Sequence, residues 1–221
     1  MDRVNRPRVK ICCIANPREA RLAVRYGASA LGLVSQMPSG PGVISEEQIA
    51  HIAAEVPPPI ATFLLTCQQT PAAILAQHHT CRTNTIQLCD RLSHDALRDL
   101  RRALPGIALV QVVHVVGPES VDEAVAIAPY VNAILLDSGR PTLAIKELGG
   151  TGRKHDWALS RQIREQIDVP LFLAGGLNSG NVRQAVDEAG PFGLDVCTGV
   201  RSNGELDEHK LAALFAALET T

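Results

Sequence analysis

Aromatic side chains are scarce in this chain of 221 residues, at 3%. That excludes the stacked-base platforms of single-strand nucleic-acid binders. An excess of one charge is also missing. Lys and Arg number 21 and Asp and Glu 23, a formal balance of −2. Neither nucleic acid nor an anionic membrane surface has an electrostatic claim on such a chain. No apolar run approaches the length of a membrane span. Residues 1–8 are charged, with no apolar signal core behind them, and read as a flexible lead-in. Cys-x-x-Cys pairs are absent, although there are six cysteines, at 12, 13, 67, 81, 89 and 197. His78, His79, His94, His114 and His155 are scattered without carboxylate-supported ligand spacing, so no metal site is expected. The thiols read as reduced, in a cytoplasmic protein.

What the chain does have is apolar content, 46% of residues, in short Val, Ile and Leu runs. Those runs predict strands over 9–14, 30–34, 60–65, 85–88, 107–115, 131–137, 169–174 and 193–196. Amphipathic stretches between them predict helices over 17–26, 46–55, 71–79, 94–103, 119–128, 156–166, 179–189 and 207–218. Pro17 and Gly27 punctuate the first helix, and Ser45 and Ser93 cap two others. Repeated strand–helix units imply parallel strands with crossover helices. Their number, eight, favours a closed barrel over an open sheet. The fold class expected is therefore α/β, a single (β/α)8 TIM barrel over residues 9–221, with no linker dividing it.

In such barrels chemistry sits at the C-terminal ends of the strands. Cys12 ends the first strand, with Lys10 on the same face two residues earlier. A nearby ammonium lowers a thiol pKa and raises its thiolate fraction. A small core residue is the alternative reading. Cys13, by alternation, is expected to face the helix layer. Asp137 ends an apolar run, where desolvation raises a carboxyl pKa towards that of a working general acid; a capping Asp is the equal alternative. Asp195 is read as orienting backbone inside the barrel, and Trp157 as packing. Gln87 and Cys89 end the fourth strand. Three glycine-bearing segments occupy the last third: Gly149-Gly150-Thr151-Gly152, Ala174-Gly175-Gly176-Leu177-Asn178 and Asp195-Val196-Cys197-Thr198-Gly199-Val200. Tight turns need glycine anyway, but three together after the last strands suggest a phosphate cradle.

With these segments in order, the chain resembles the phosphoribosylanthranilate isomerase family. Lys10-Ile11-Cys12 looks like its "KICG", and Asp137 with Gly149 to Gly152 and Asp156-Trp157 looks like its sixth-strand acid and "GGTGxxxDW". Leu173 to Asn178 with Asn181-Val182 matches "LAGGLNxxNV", and Asp195 to Val200 is similar to "DVSSGVE". The resemblance implies an Amadori rearrangement of an aminoaldose phosphate without cofactor or metal, because an iminium serves as the electron sink. It implies Asp137 as general acid and Cys12 as general base. Gly152, Gly175, Gly176, Thr198 and Gly199 would bind phosphate, and Lys10, Gln87 and Cys89 would line the substrate site. The implied partner is a phosphorylated sugar, bound by a monomer or homodimer.

Four positions depart from the family pattern. Gly42 stands where an arginine that holds the anthranilate carboxylate is expected. Cys13 replaces the glycine of "KICG", Cys89 the histidine of "QLHG", and Arg201 the glutamate after "SSGV". Arg18, Arg140 and Arg153 are candidate substitutes for the missing arginine. Two other functions stay open: the same chemistry on another aglycone, or a non-catalytic sugar-phosphate-binding barrel. The second has no need of both Cys12 and Asp137. On sequence grounds, Gly42→Arg is expected to lower the Michaelis constant for the anthranilate substrate, measured by its loss of fluorescence.

Overall fold

Polar side chains start most of the helices. Asn16, Ser45, Thr70, Ser93 and Asp156 each accept a backbone N–H of the first turn that follows. They open α1 (Pro17–Tyr26), α2 (Glu46–Glu55), α3 (Pro71–Cys81) and α4 (His94–Ala103), and, after α5 (Glu119–Ile127), α6 (Trp157–Gln166). Gly27 ends α1 at φ 106, a left-handed conformation. α7 (Val182–Ala189) and α8 (Glu208–Glu219) complete the helices. The structure is a computed structural model; it describes residues 6–139, 143, 146–148 and 155–219. None of the described helices is long and apolar enough to cross a membrane.

The strands are β1 (Arg8–Ile11), β2 (Ala30–Val34), β3 (Ala61–Thr66), β4 (Thr85–Leu88), β5 (Ala108–His114), β6 (Ala133–Asp137), β7 (Leu171–Leu173) and β8 (Gly193–Val196). Each pairs in parallel with the next, and β8 returns to β1, closing the barrel. Alternation along the strands separates two cores. Ile11, Leu33, Leu64, Ile86, Ile134 and Leu194 face outward into a cluster with helix residues such as Ile49, Ile74, Leu97 and Leu211. Phe63, Leu65, Val110, Val112, Leu135 and Phe172 form a separate cluster, the filling of the barrel. Full burial of one such side chain is worth roughly 1.5–3 kcal/mol.

The observed elements differ from expectation mainly at their ends. The first strand stops at Ile11 rather than at residue 14, because Cys13 turns left-handed at φ 63. α7 starts at Val182 rather than at 179. Asn178 and Asn181 spend their side-chain oxygens on the Gly180 and Asn178 amides, which folds that stretch into a turn. The sequence reading missed a hairpin, β9 (Arg201–Ser202) with β10 (Glu205–Leu206).

That hairpin is tied to the start of the barrel by a buried ion pair. Arg201 meets Glu19 at 2.9 Å, with both side chains no more than 10% exposed. Glu19 also accepts the backbone N–H groups of Ala15 and Leu206. Arg201 donates onward to the carbonyls of Cys12, Cys13 and Gly204. Burial pushes the Glu19 carboxyl up, but Arg201 and the two amides outweigh it and hold it low. Breaking one half of such a pair leaves a buried charge alone. Arg201→Met is expected to reduce unfolding free energy by about 3 kcal/mol at pH 7.5. Glu19→Gln/Arg201→Met should lose less than Arg201→Met alone. Urea unfolding of the three proteins checks the order, and a double variant weaker than the single would overturn this account.

Candidate active site

At the C-terminal mouth of the barrel lies a cavity that opens to solvent. Cys12, Gln87, Cys89, Asp137 and Asp195 line its floor and walls, and Gly175, Gly176 and Thr198 its β7 and β8 side.

Lys10 lies one layer beneath. It is 0% exposed and is not among the residues that line the cavity, so any effect it has there acts through its neighbours. Its ammonium meets Asp195 Oδ1 at 2.8 Å and sits 5.3 Å from the Phe63 ring centre. Burial alone would discharge the lysine, but Asp195 and Cys12 outweigh burial and keep the ammonium charged. Asp195 was expected to orient backbone; its partner is instead this ammonium. Gly32 makes the arrangement possible. A Cβ there would lie 2.7 Å from Cys12 Sγ and 2.9 Å from Lys10 Nζ.

Cys12 is buried, and its pKa is lowered, first by the thiol of Cys13 donating to it and then by Lys10. Cys13 is raised in turn, because it keeps the shared proton. Cys13 therefore does not pack against the helices as strand alternation predicted. The left-handed turn ends the alternation and swings its side chain to the cavity wall. Across the cavity, burial lifts the Asp137 carboxyl to about 6, against the opposing amide of Ser138 at 2.7 Å. Burial also pushes the Cys89 thiol up, so it stays neutral. Gln87 Nε2 faces that sulfur, while its Oε1 has no hydrogen-bond partner among the described residues.

Gly175, Gly176 and Thr198 of the last two loops line one side of the cavity, and Gly199 follows Thr198 in the chain. Among the described residues, the N–H groups of Gly175, Gly176, Thr198 and Gly199 meet no hydrogen-bond acceptor. A Cβ on Gly199 would stand 1.9 Å from the Leu177 carbonyl, so only glycine lets the two loops close up. Such unclaimed amides suit an anion. The third glycine segment, Gly149-Gly150-Thr151-Gly152, lies outside the described residues, as do Arg140 and Arg153. Arg18 is exposed on α1 and does not reach the cavity. Among the described residues no group of three or more His, Cys, Asp or Glu side chains is placed to hold a metal.

Gly42 corrects an expectation. Its φ is 81, and a Cβ there would fall 2.5 Å from Cys13 Cβ. Arginine at 42 therefore collides with Cys13, so the single substitution cannot restore a carboxylate contact. The two departures from the family pattern fill one space.

A family model described as N-(5'phosphoribosyl)anthranilate (PRA) isomerase matches residues 9–217. The chain belongs to the phosphoribosylanthranilate isomerase family. It is 31% identical to the N-(5'-phosphoribosyl)anthranilate isomerase of Methanocella arvoryzae, covering 94% of this chain and 95% of that one. The corresponding protein of Halobacterium salinarum is 33% identical over 96% and 95%. Among solved structures, the isomerase of Thermotoga maritima superposes with a TM-score of 0.83 at 30% identity, covering 96% and 98%. Another, in complex with reduced 1-(o-carboxyphenylamino)-1-deoxyribulose 5-phosphate, gives 0.80 at 28% identity over the same shares.

Within this family frame, sequence reading turned Cys13 to the wrong side, saw Arg201 only as a departure from the pattern, and gave Cys197 no role of its own. One signal was available for Asp195. A lysine inside an apolar strand requires a buried counter-charge, and Asp195 is the acid on the strand that closes the barrel. Asp137 also generates a pH-dependent prediction. It binds its proton more tightly folded, at about 6, than unfolded, at about 3.9. Its contribution to stability is fullest below pH 4 and is lost as pH rises through 6. Asp137→Asn, which cannot ionise, should be more stable than the parent at pH 7.5 by on the order of 3 kcal/mol. The gap should shrink towards pH 4. Urea unfolding at both values tests this, and a gap that does not change with pH would refute it.

Proposed function

We propose that this protein converts N-(5'-phosphoribosyl)anthranilate to the corresponding 1-deoxyribulose 5-phosphate, an aldose–ketose isomerisation of tryptophan biosynthesis, in the cytoplasm. One observation carries the reading. A cysteine biased towards thiolate and a carboxyl lifted to about 6 line one cavity, with free amides of the last two loops beside them. The pair supplies a base and an acid whose environments push their proton affinities in opposite directions.

In this reading the phosphate sits on the amides of Gly175, Gly176, Thr198 and Gly199. Asp137 protonates the furanose ring oxygen, and the ring opens to an iminium. Cys12 takes the proton from C2 of the sugar, and the enolamine that results tautomerises to the ketone. Charge moves within the substrate. Lys10 keeps Cys12 acidic from below, and Gln87 Oε1 and the neutral Cys89 thiol face the sugar. The relative from Thermotoga maritima is named as dimeric, with monomers generated from it; this chain acts as a monomer or homodimer.

A second reading keeps the chemistry and changes the aglycone. The contact between Cys13 and Gly42 favours it, because no arginine fits there while Cys13 is present.

Cys12→Ser and Asp137→Asn should each lower turnover of the anthranilate substrate by roughly a hundredfold or more. Steady-state fluorescence kinetics measure this, and near-parental rates in either variant would remove that residue from its role. Gly42→Arg with Cys13→Gly should lower the Michaelis constant, whereas Gly42→Arg alone should not. A parent that already shows tight binding of the anthranilate substrate would dispose of the second reading.

A further inference from the structure

The cavity wall holds a sulfur pair that the proposed isomerisation does not use. Cys197 follows β8 and Cys13 follows β1, 184 positions apart in sequence, yet their Sγ atoms lie 2.7 Å apart. A disulfide bond is about 2.0 Å long, so little movement separates contact from bond. We propose that Cys13 and Cys197 form a reversible intrachain disulfide at the mouth of the catalytic cavity, made by exchange with a low-molecular-weight disulfide.

Three features direct the exchange to this pair. First, both sulfurs line the solvent-open cavity, and Cys197 is partly exposed, which gives a small disulfide a route in. Second, Cys13 is held against Cys197 by backbone. Its left-handed turn aims the side chain, Arg201 grips its carbonyl, and Gly42 leaves room for its Cβ. Third, three of the four other thiols are poorly placed; the fourth, Cys12, also lines the cavity, and the Cys12→Ala variant below separates it from the pair. Cys81 is buried and pushed up to about 12, and Cys89 is buried and pushed up as well. Cys13 is buried and raised as well, so the partly exposed Cys197 is the sulfur that reacts first, and contact with it brings Cys13 into the exchange. Cys67 donates to the Gln36 carbonyl and is not among the residues lining the cavity.

The exchange balances without any further reactant. The Cys197 thiolate attacks one sulfur of the small disulfide RSSR, forming Cys197–S–SR and releasing RS⁻. Cys13 then attacks Cys197 Sγ, the S–SR bond breaks, and its proton goes to the second RS⁻. In sum, RSSR and two protein thiols become one protein disulfide and two RSH. A reducing thiol reverses both steps.

The consequence for the site follows from Cys13's second contact. As a thiol, Cys13, whose Sγ donates to the Pro41 carbonyl, is also the largest influence on Cys12, and it lowers the Cys12 pKa. As half of a disulfide it has no proton to donate, so Cys12 loses the stabilisation of its thiolate. This effect on catalysis rests on the isomerase reading; the cross-link does not.

The test treats the reduced full-length protein with oxidised glutathione, alkylates it under denaturing conditions and maps the peptides by mass spectrometry. The expected product carries a cross-link between residues 13 and 197 that dithiothreitol removes. It should persist in Cys12→Ala and vanish in both Cys13→Ala and Cys197→Ala, with circular dichroism confirming that each variant is folded. Turnover of the oxidised parent should fall at least tenfold at neutral pH and return on reduction. Six alkylated cysteines, glutathione adducts without a cross-link, or a cross-link that survives Cys13→Ala would overturn the proposal. An inactive reduced protein that still forms the cross-link would count against the isomerase reading alone.

Discussion

The site is organised by the buried pair of Lys10 and Asp195. Their strands meet where the barrel closes, and the two residues are directly in register. An ammonium at 0% exposure is tolerable only beside a carboxylate. The pair therefore reports that β1 and β8 have joined correctly. It also sets the electrostatics above it. Lys10 favours a thiolate on Cys12, while Asp195 adds to the desolvation that keeps Asp137 protonated to a higher pH. One ion pair thus biases a base and an acid in opposite directions.

Around that pair the loops fit together by close contact at small residues. Gly32 admits the lysine head and the Cys12 sulfur, Gly199 admits the neighbouring loop, and Gly42 admits Cys13. Arg201 fastens the Cys12 and Cys13 carbonyls from behind and is itself anchored on Glu19. The first-strand turn is therefore fixed from its backbone, which leaves the three sulfurs free to meet. Position 13 touches both 42 and 201, although the three lie far apart in the chain. Here a change at one position is conditional on its neighbours: Cys13 has room only because residue 42 has no side chain.

Much of the barrel was legible because its signals are local. Ser45 and Ser93 cap where their side chains can reach the next turn, and β2, β4 and β8 were read with their observed limits. The hairpin of β9 and β10 was not legible. Its two-residue strands carry no periodicity, and Glu19, 182 residues away, holds it. Cys13 was misread because alternation assumes extended backbone, and a single positive φ cancels that assumption. Asp195 was underrated because its meaning depends on which strand lies beside it.

The eight strand–helix units, the positions of Cys12 and Asp137 at strand ends, and the glycine turns of the last two loops could all be read before any folding was considered. Each of these is written in residues a few places apart, where backbone preference and apolar period act directly. Folding alone revealed that Lys10 is neutralised by Asp195, that Cys13 turns to meet Cys197, and that Gly42 cannot simply be exchanged for arginine. Those outcomes depend on burial and on distances of a few ångströms between segments far apart in the chain, and the closing of β1 on β8 sets both.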